Sequence, residues 1–206
     1  MLKPLETKEA REKRIRRQNT IFGIVIAIIM IAGTIGWAIT SRETEKQQSY
    51  NGFKFKNNEN FWQTTIKVYG QNFLLQTSFL PQEVESVASN LETLSLEKFL
   101  GKVVFFVAFS ASELQAAQEL AINLQYFVVR MQMACSSEHA NESFCLEKPI
   151  KSCDDADLDT VIILLEESNE TRIDFEKGCL RISGKETEII KAADKTLFVA
   201  FGIMKG

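Results

Sequence analysis

The chain has 206 residues, of which 45% are hydrophobic and 25% are charged. This composition excludes a disordered tail and a membrane protein with many spans, and it fits one ordinary domain. The net charge of −3 is unevenly divided, because residues 1–20 carry seven Lys or Arg against three Glu and the acidic excess lies after them. An acidic main domain speaks against nucleic-acid binding, which requires a basic surface to neutralise phosphates.

An uncharged run from Ile21 to Ile39, rich in Ile, Val and Ala, predicts a transmembrane helix. At 1.5 Å per residue such a helix spans about 30 Å, the thickness of the hydrocarbon core. A buried soluble helix would show a polar face, and a cleaved signal peptide would have a shorter apolar region. Small residues lie four apart in this run, at Gly23 and Ala27 and at Ala32 and Gly36. Such pairs allow two helices to pack closely, so association into a homo-oligomer is an open alternative.

The charges that flank the run predict its direction. All seven basic residues of the head precede it, whereas only Arg42 and Lys46 closely follow it. Positive residues remain on the cytoplasmic side of a membrane. We therefore expect a single-pass protein of the cell membrane with four parts: a cytoplasmic basic head over 1–20, the span over 21–39, a polar stalk over 40–49 and an extracytoplasmic domain over 50–206.

The predicted domain begins with a β-meander. Strands are expected over 53–56, 61–69 and 73–79, because apolar residues alternate with polar ones and turn residues separate the segments. Pro81 then suits the first turn of a short helix through Ala88.

A parallel sheet follows in the sequence. The apolar run over 103–109 predicts a strand that is buried on both faces. A capping box at Ser110 and Glu113 starts a helix to Gln125, and 128–134 predicts the next strand. Strand, helix and strand form a right-handed βαβ crossover, which makes the two strands parallel.

The C-terminal third adds more strands and a helix. A second apolar strand is expected over 160–165, followed by a β-hairpin of 171–175 and 179–183 that turns at 176–178. A capping box at Ser183 and Glu186 would start a last helix, whose apolar residues recur at helical spacing up to the C-terminus, and Gly202 is placed to end it. The predicted fold class is therefore α/β (α+β), with one mixed sheet.

Four cysteines, Cys135, Cys145, Cys153 and Cys179, all lie after the predicted span. Their spacing contains no CxxC, which argues against a thioredoxin-like redox site and a zinc knuckle. Two disulfides are therefore the preferred interpretation. Cys153 precedes one strand and Cys179 begins a second strand that runs the same way, so both lie at one edge of the sheet. This layout favours pairing Cys153 with Cys179 and Cys135 with Cys145. A zinc site that adds His139 is the alternative.

Two glycosylation sequons, at Asn141 and Asn169, agree with an exported domain. Because sequons also arise by chance, the position of the cysteines is the stronger evidence for export.

An acidic cluster precedes the strand at 160, and it consists of Asp154, Asp155, Asp157 and Asp159. Counted from Asp155, its spacing resembles a calcium loop, but Thr160 stands where such a loop needs glycine. A solvated turn is therefore preferred to a metal site. His139, the only histidine, lies in a polar loop without a nucleophile motif, so no catalytic residue is assigned to it.

Several segments together resemble a group of small archaeal membrane-anchored proteins without an assigned activity. They are YNGFKF, FWQTTIKVYGQNFLLQTSFLP, CSSEHANESFCLEKPIKSC, VIILLEESNETRIDFEKGCLRISG and EIIKAADKTLFVAFGIM. The resemblance covers nearly the whole chain. It implies an exported, cysteine-containing domain and supplies no catalytic residue and no cofactor.

These observations support two functional hypotheses. The first is a binding or structural protein of the cell envelope, without a cofactor, whose partner is another envelope or membrane protein. The second is an extracytoplasmic hydrolase or metal-dependent enzyme that uses the aspartate cluster and His139. An enzyme needs these groups to converge in a concave site, whereas a binding module does not.

Overall fold

The structure is a computed structural model that describes residues 16–17, 20–30 and 47–206. Contacts divide the chain into two units, Met1–Glu45 and Lys46–Gly206. In the first unit, residues 16–17 and 20–30 are helical, and the apolar side chains from Ile21 to Met30 are exposed. Residues 31–39 of the predicted span lie outside the described residues. Among the residues described, no helix combines the length and the apolar character needed to cross a membrane.

The second unit has an α+β fold. Its strands are β1 (Gln47–Tyr50), β2 (Phe53–Asn58), β3 (Phe61–Val68), β4 (Gln71–Thr77), β5 (Ala88–Asn90), β6 (Val103–Val107), β7 (Arg130–Ala134), β8 (Thr160–Glu167), β9 (Arg172–Glu176) and β10 (Cys179–Gly184). Its helices are α1 (Pro81–Val84), α2 (Ala111–Leu124) and α3 (Thr187–Ala200). Short 3₁₀ turns occur at Leu96–Lys98, Ser137–His139 and Cys153–Asp155.

The meander forms a sheet of its own, in the order β1-β2-β3-β4 with antiparallel neighbours. Two expectations are corrected here. The meander is not part of one mixed sheet, and residues 47–49 of the predicted polar stalk belong to β1. The turn that creates β1 is Asn51-Gly52, with φ values of 46° and 84°. An Asn-Gly pair with two positive φ angles is the preferred two-residue hairpin turn.

The second sheet has the order β5-β9-β10-β8-β6-β7. Strands β7, β6, β8 and β10 are mutually parallel, which confirms the βαβ crossover through α2. Strand β9 is antiparallel to β10, which confirms the hairpin and makes this sheet mixed. Strand β5, which the sequence did not predict, pairs in parallel with β9 at the edge.

Helices α2 and α3 pack between the two sheets. The expected capping box starts α2, where Ser110 Oγ accepts a hydrogen bond from Glu113 N. Eleven of the fourteen residues of α3 are buried, and Phe198 meets Phe55 of the meander edge-to-face at 5.9 Å. A helix that is buried on nearly all sides needs a layer on each flank. The meander supplies the second layer.

The predicted start of α3 is wrong. Strand β10 continues through Gly184, which pairs with Glu167, so Ser183 is a strand residue and not a helix cap. The helix begins at Thr187 after Glu186, which has a φ of 50° and makes no side-chain cap. The strand pairing therefore overrides a local capping signal. Gly202, with a φ of 71°, lies just after the helix, as expected.

Candidate functional site: a groove between helix α2 and strand β4

Asn123 of α2 binds the outer edge of β4. Its side-chain Nδ2 donates to Gln76 O at 2.7 Å, and its Oδ1 accepts from Gln76 N at 3.0 Å. Nδ2 also donates to Glu119 O, one helical turn earlier, at 2.9 Å. Because β4 is an edge strand, its outward N–H and C=O groups have no neighbouring strand to bind. The side-chain amide of Asn123 supplies the hydrogen bonds of the missing strand at Gln76.

Two carboxyl groups accept hydrogen bonds from the residues that follow β4. Glu119 Oε1 accepts from Ser78 N at 2.5 Å, and its Oε2 accepts from the Ser78 hydroxyl at 2.9 Å. Asp194 of α3 accepts from Phe79 N at 2.7 Å through Oδ2. Side chains of both helices thus hold the end of the meander.

Asp194 is fully buried, and its environment favours the protonated form. Burial raises the pKa of Asp194 well above its usual value, and the charge of Glu119 and a hydrogen bond with Glu119 act in the same direction. As a carboxylate, Asp194 would leave Oδ1 buried without a hydrogen-bond partner. As a carboxylic acid, Asp194 can donate a hydrogen bond to Glu119, the neighbour that raises its pKa.

A groove runs along the same edge of β4, in two cavities of about 780 and 430 Å³. The larger cavity is lined by Phe61, Gln76, Ala111, Leu114, Gln115, Gln118, Glu119, Ile122 and Asn123. The smaller cavity is lined by Val68, Gln71, Asn72, Phe73, Leu74, Gln76, Ile122, Gln125, Tyr126 and Phe127. Gln76 and Ile122 line both, so we treat the cavities as one α2–β4 groove.

The α2–β4 groove is apolar and almost uncharged. Large apolar side chains in it are open to solvent, with exposed fractions of 50% for Leu74, 40% for Ile122 and 74% for Tyr126. Its polar lining is mostly amide, and Glu119 is the one acidic residue in a described lining that contains no basic residue. Both oxygens of Glu119 already accept hydrogen bonds from Ser78. An apolar cavity with a few placed polar groups is the usual form of a binding site.

None of the candidate site residues named from the sequence lines this groove. A signal was nevertheless present, because Glu119 and Asn123 are polar residues four apart in a helix whose other buried residues after the first turn are Ala and Leu. Asp194 likewise interrupts the apolar pattern of α3. A polar residue at a core position indicates a specific hydrogen-bond partner elsewhere in the chain.

The cysteines form the two disulfides that the strand order favoured. Cys135 is bonded to Cys145 and Cys153 to Cys179, with Cα–Cα distances of 5.9 and 5.3 Å. Cys179 packs with Ile162 and Leu164 on the sheet face opposite the helices. The second disulfide therefore attaches the loop before β8 to this face.

The aspartate cluster binds its own loop. Asp155 accepts from Ser152 N at 2.8 Å and from Lys151 Nζ at 3.0 Å, and these contacts lower the pKa of Asp155. A hydrogen bond from the backbone of Asp159 lowers the pKa of Asp157. In the part of the chain that the structure describes, no three residues among His, Cys, Asp and Glu are placed to hold a metal ion.

His139 lies in the 3₁₀ turn Ser137–His139, and its ring stacks on Phe109 with a centroid distance of 4.0 Å. Both sequon residues, Asn141 and Asn169, are exposed. Thus the histidine is engaged with an aromatic ring, and both asparagine side chains face solvent. Glycosylation at either position stays a prediction.

Comparisons of the chain with protein-family models, with curated proteins and with solved structures find no match. The resemblance to small archaeal membrane-anchored proteins therefore stays a prediction, and the function is argued from the residues alone.

Proposed function

We propose that this chain is a single-pass membrane protein that presents a disulfide-stabilised binding domain outside the cytoplasm. The anchor would be Ile21 to Ile39, which contains no charged residue and follows a basic head. In the described part of that segment, large apolar side chains such as Phe22 and Ile29 are 68% and 64% exposed. A helix with apolar side chains on all sides requires an apolar environment.

An oxidising compartment for the folded domain is supported by its cysteines. Both disulfides join residues within the second unit, and disulfides persist mainly outside the cytoplasm. The exposed sequon residues Asn141 and Asn169 agree with the same location. The proposed topology thus has the N-terminus in the cytoplasm and the C-terminal domain outside.

Binding of another envelope or membrane protein at the α2–β4 groove is the proposed activity. The observation that carries it is the exposure of Leu74, Ile122 and Tyr126 around connected cavities of about 780 and 430 Å³. Contiguous exposed apolar surface next to polar groups is typical of interaction sites. The polar groups of the lining are mainly amides, and both oxygens of the single carboxyl group, Glu119, are bound to Ser78. Such groups favour binding of a ligand over catalysis.

The topology is tested on the full chain inserted into native membrane vesicles. We expect the protein to remain in the membrane after alkaline carbonate extraction. We also expect the domain to be protected from protease in sealed vesicles that enclose the extracytoplasmic space. Release by carbonate, or digestion of the domain in sealed vesicles, would contradict the anchor or its direction.

The partner is tested by photo-crosslinking from single positions in native membranes. A crosslinker at Gln118, exposed in the groove, should capture one envelope or membrane protein reproducibly. The same crosslinker at Glu97, exposed outside the groove, should not capture it. The capture at Gln118 should disappear with Ile122→Arg, which places a charge in the apolar lining. Equal capture from both positions would exclude the groove as the binding site.

A further inference from the structure

We infer that the α2–β4 groove binds an extended, uncharged polypeptide segment of the partner, which adds a fifth strand to the meander at Asn72 to Leu74. This inference rests on the proposed function and specifies its ligand. It depends on three features of the described residues: the unpaired backbone groups of β4, the cavity beside them, and a lining with no charged side chain free to pair with a charged peptide residue.

The direction of the backbone groups of β4 follows from Gln76. Both Gln76 N and Gln76 O bind Asn123, so they point away from β3. In an antiparallel pair, alternate residues direct their N–H and C=O groups to opposite edges. Leu74 and Asn72 lie two and four residues before Gln76 in β4, and the register with β3 is regular over this stretch. Their N–H and C=O groups therefore also point outward.

No helix side chain binds these outward groups. In the part of the chain that the structure describes, the hydrogen bonds from α2 and α3 to this edge stop at Gln76, Ser78 and Phe79. Two successive outward residues, Asn72 and Leu74, offer a donor and an acceptor each. This alternation matches an extended peptide, which presents its own donors and acceptors at the same repeat.

The cavity of about 430 Å³ lies beside these free groups, between Gln71 to Leu74 and the C-terminal end of α2. Successive side chains of an added strand would alternate between the two faces of the sheet. On one side, Leu74, Ile122 and Tyr126 offer exposed apolar surface to them.

The shape of the cavity favours a single segment over a second copy of this chain. Pairing of two β4 edges would bring a complete sheet and its own α2 against the groove. The helix that stands beside β4, anchored through Asn123, occupies the space that such a sheet would need. One extended segment enters between helix and strand without displacing either.

The charge of the lining specifies the composition of the segment. Glu119 is the one acidic residue in the described lining, which contains no basic residue, and Ser78 binds both oxygens of Glu119. A charged peptide side chain would lose its hydration here without gaining a partner. We therefore expect an uncharged segment, in which apolar and small polar residues alternate.

The test uses the full chain in detergent and a fluorescein-labelled probe peptide of seven alternating Val and Thr residues, blocked at both ends. Fluorescence anisotropy should show saturable binding below about 1 mM, an affinity within reach of a few hydrogen bonds and apolar contacts. Amide hydrogen exchange at Asn72 and Leu74 should slow when the probe binds. Probes with Lys or Asp at alternate positions should bind more weakly.

The hydrogen-bond pattern is tested from both partners. N-methylation of the probe at the alternate residues that face β4 should weaken binding about tenfold or more, because each methyl removes a donor. Leu74→Pro, which removes one outward N–H at an edge position, should have a similar effect. Leu74→Ala keeps the N–H and separates the loss of the side chain from the loss of the donor.

Three results would overturn the inference: no saturable binding below about 1 mM, equal affinity of the methylated and unmethylated probes, or exchange protection away from 71–76. The methylated probe leaves the protein unchanged, so it remains decisive if Leu74→Pro does not fold. The proposed function fails separately. Partner capture at Gln118 that survives Leu74→Pro, together with an N-methylated probe that binds normally, would support the groove and exclude strand addition.

Discussion

Glu119 on α2 and Asp194 on α3 bind two consecutive residues where the chain leaves β4. Glu119 binds Ser78 and Asp194 binds Phe79, so the pair joins both helices to the meander. Burial and the neighbouring charge of Glu119 raise the pKa of Asp194, because two buried carboxylates side by side would repel each other.

Replacing Asp194 with Asn should stabilise the protein at neutral pH. The amide can accept from Phe79 N and donate to Glu119, as the protonated acid does, without a proton to lose. The pKa of Asp194 is higher in the folded state than its usual value near 3.8, so the folded state binds more protons between the two values. The free energy of unfolding should therefore fall as the pH rises through that window in the parent chain, and this component should be missing in Asp194→Asn.

Thermal and denaturant unfolding of both chains from pH 4 to pH 8 checks this expectation, because the difference between the two curves isolates Asp194. Asp174→Asn, which alters an exposed pair with Arg172, should change the free energy of unfolding by less than about 1 kcal/mol. Parallel pH curves for the parent and Asp194→Asn would show that the acid is ionised in the folded state.

Replacing Asn123 with Ala should destabilise the attachment of β4. The variant leaves Gln76 N and Gln76 O without their partner, at a cost of about 1–3 kcal/mol. Amide exchange at Gln76 should become faster, and denaturant unfolding should show the loss. Gln118→Ala, exposed on the same helix, should stay within about 0.5 kcal/mol of the parent. Unchanged exchange at Gln76 would mean that the amide of Asn123 does not protect this edge.

Replacing Glu113 with Gln should loosen the junction between β6, α2 and β8. Glu113 accepts from Phe109 N at 2.6 Å, Ser110 N at 3.1 Å and Glu167 N at 3.0 Å. An amide keeps one acceptor and turns an NH₂ group towards a backbone donor, which should cost about 1–3 kcal/mol in denaturant unfolding. Glu142→Gln, fully on the surface, serves as the control. A cost no larger than that of the control would contradict this role.

Removing the disulfide between Cys153 and Cys179 should cost more stability than removing the one between Cys135 and Cys145. The sequence separations are 26 and 10 residues. Loop-closure entropy then gives about 3.5 kcal/mol for the first pair and about 2.7 kcal/mol for the second. Guanidinium unfolding of the two double serine variants measures both values. The reverse order would show that contacts of the shorter loop, rather than loop length, determine its contribution.

Features that depend on neighbouring residues could be read from the sequence. The capping box of Ser110 and Glu113, the apolar strands β6 and β8 and the hairpin of β9 and β10 all have signals within a few residues. The disulfide pairing was also accessible. The chain reverses after β8 and again after β9, so β10 runs the same way as β8 and Cys153 and Cys179 lie at one edge of the sheet. Strand β1 also has a local signal, the Asn51-Gly52 turn, although the polar composition of 47–49 favours a stalk.

The tertiary structure alone decided how the two sheets share their helices and where the groove lies. Asn123 meets Gln76 across 47 residues, Ser78 meets Glu119 across 41, and Phe79 meets Asp194 across 115. Local propensity and periodicity cannot predict contacts between residues so far apart in the sequence, since they depend only on the few residues around each position. The raised pKa of Asp194 has the same origin, because it depends on burial and on a neighbouring charge that exist only after α2, α3 and the meander have packed together.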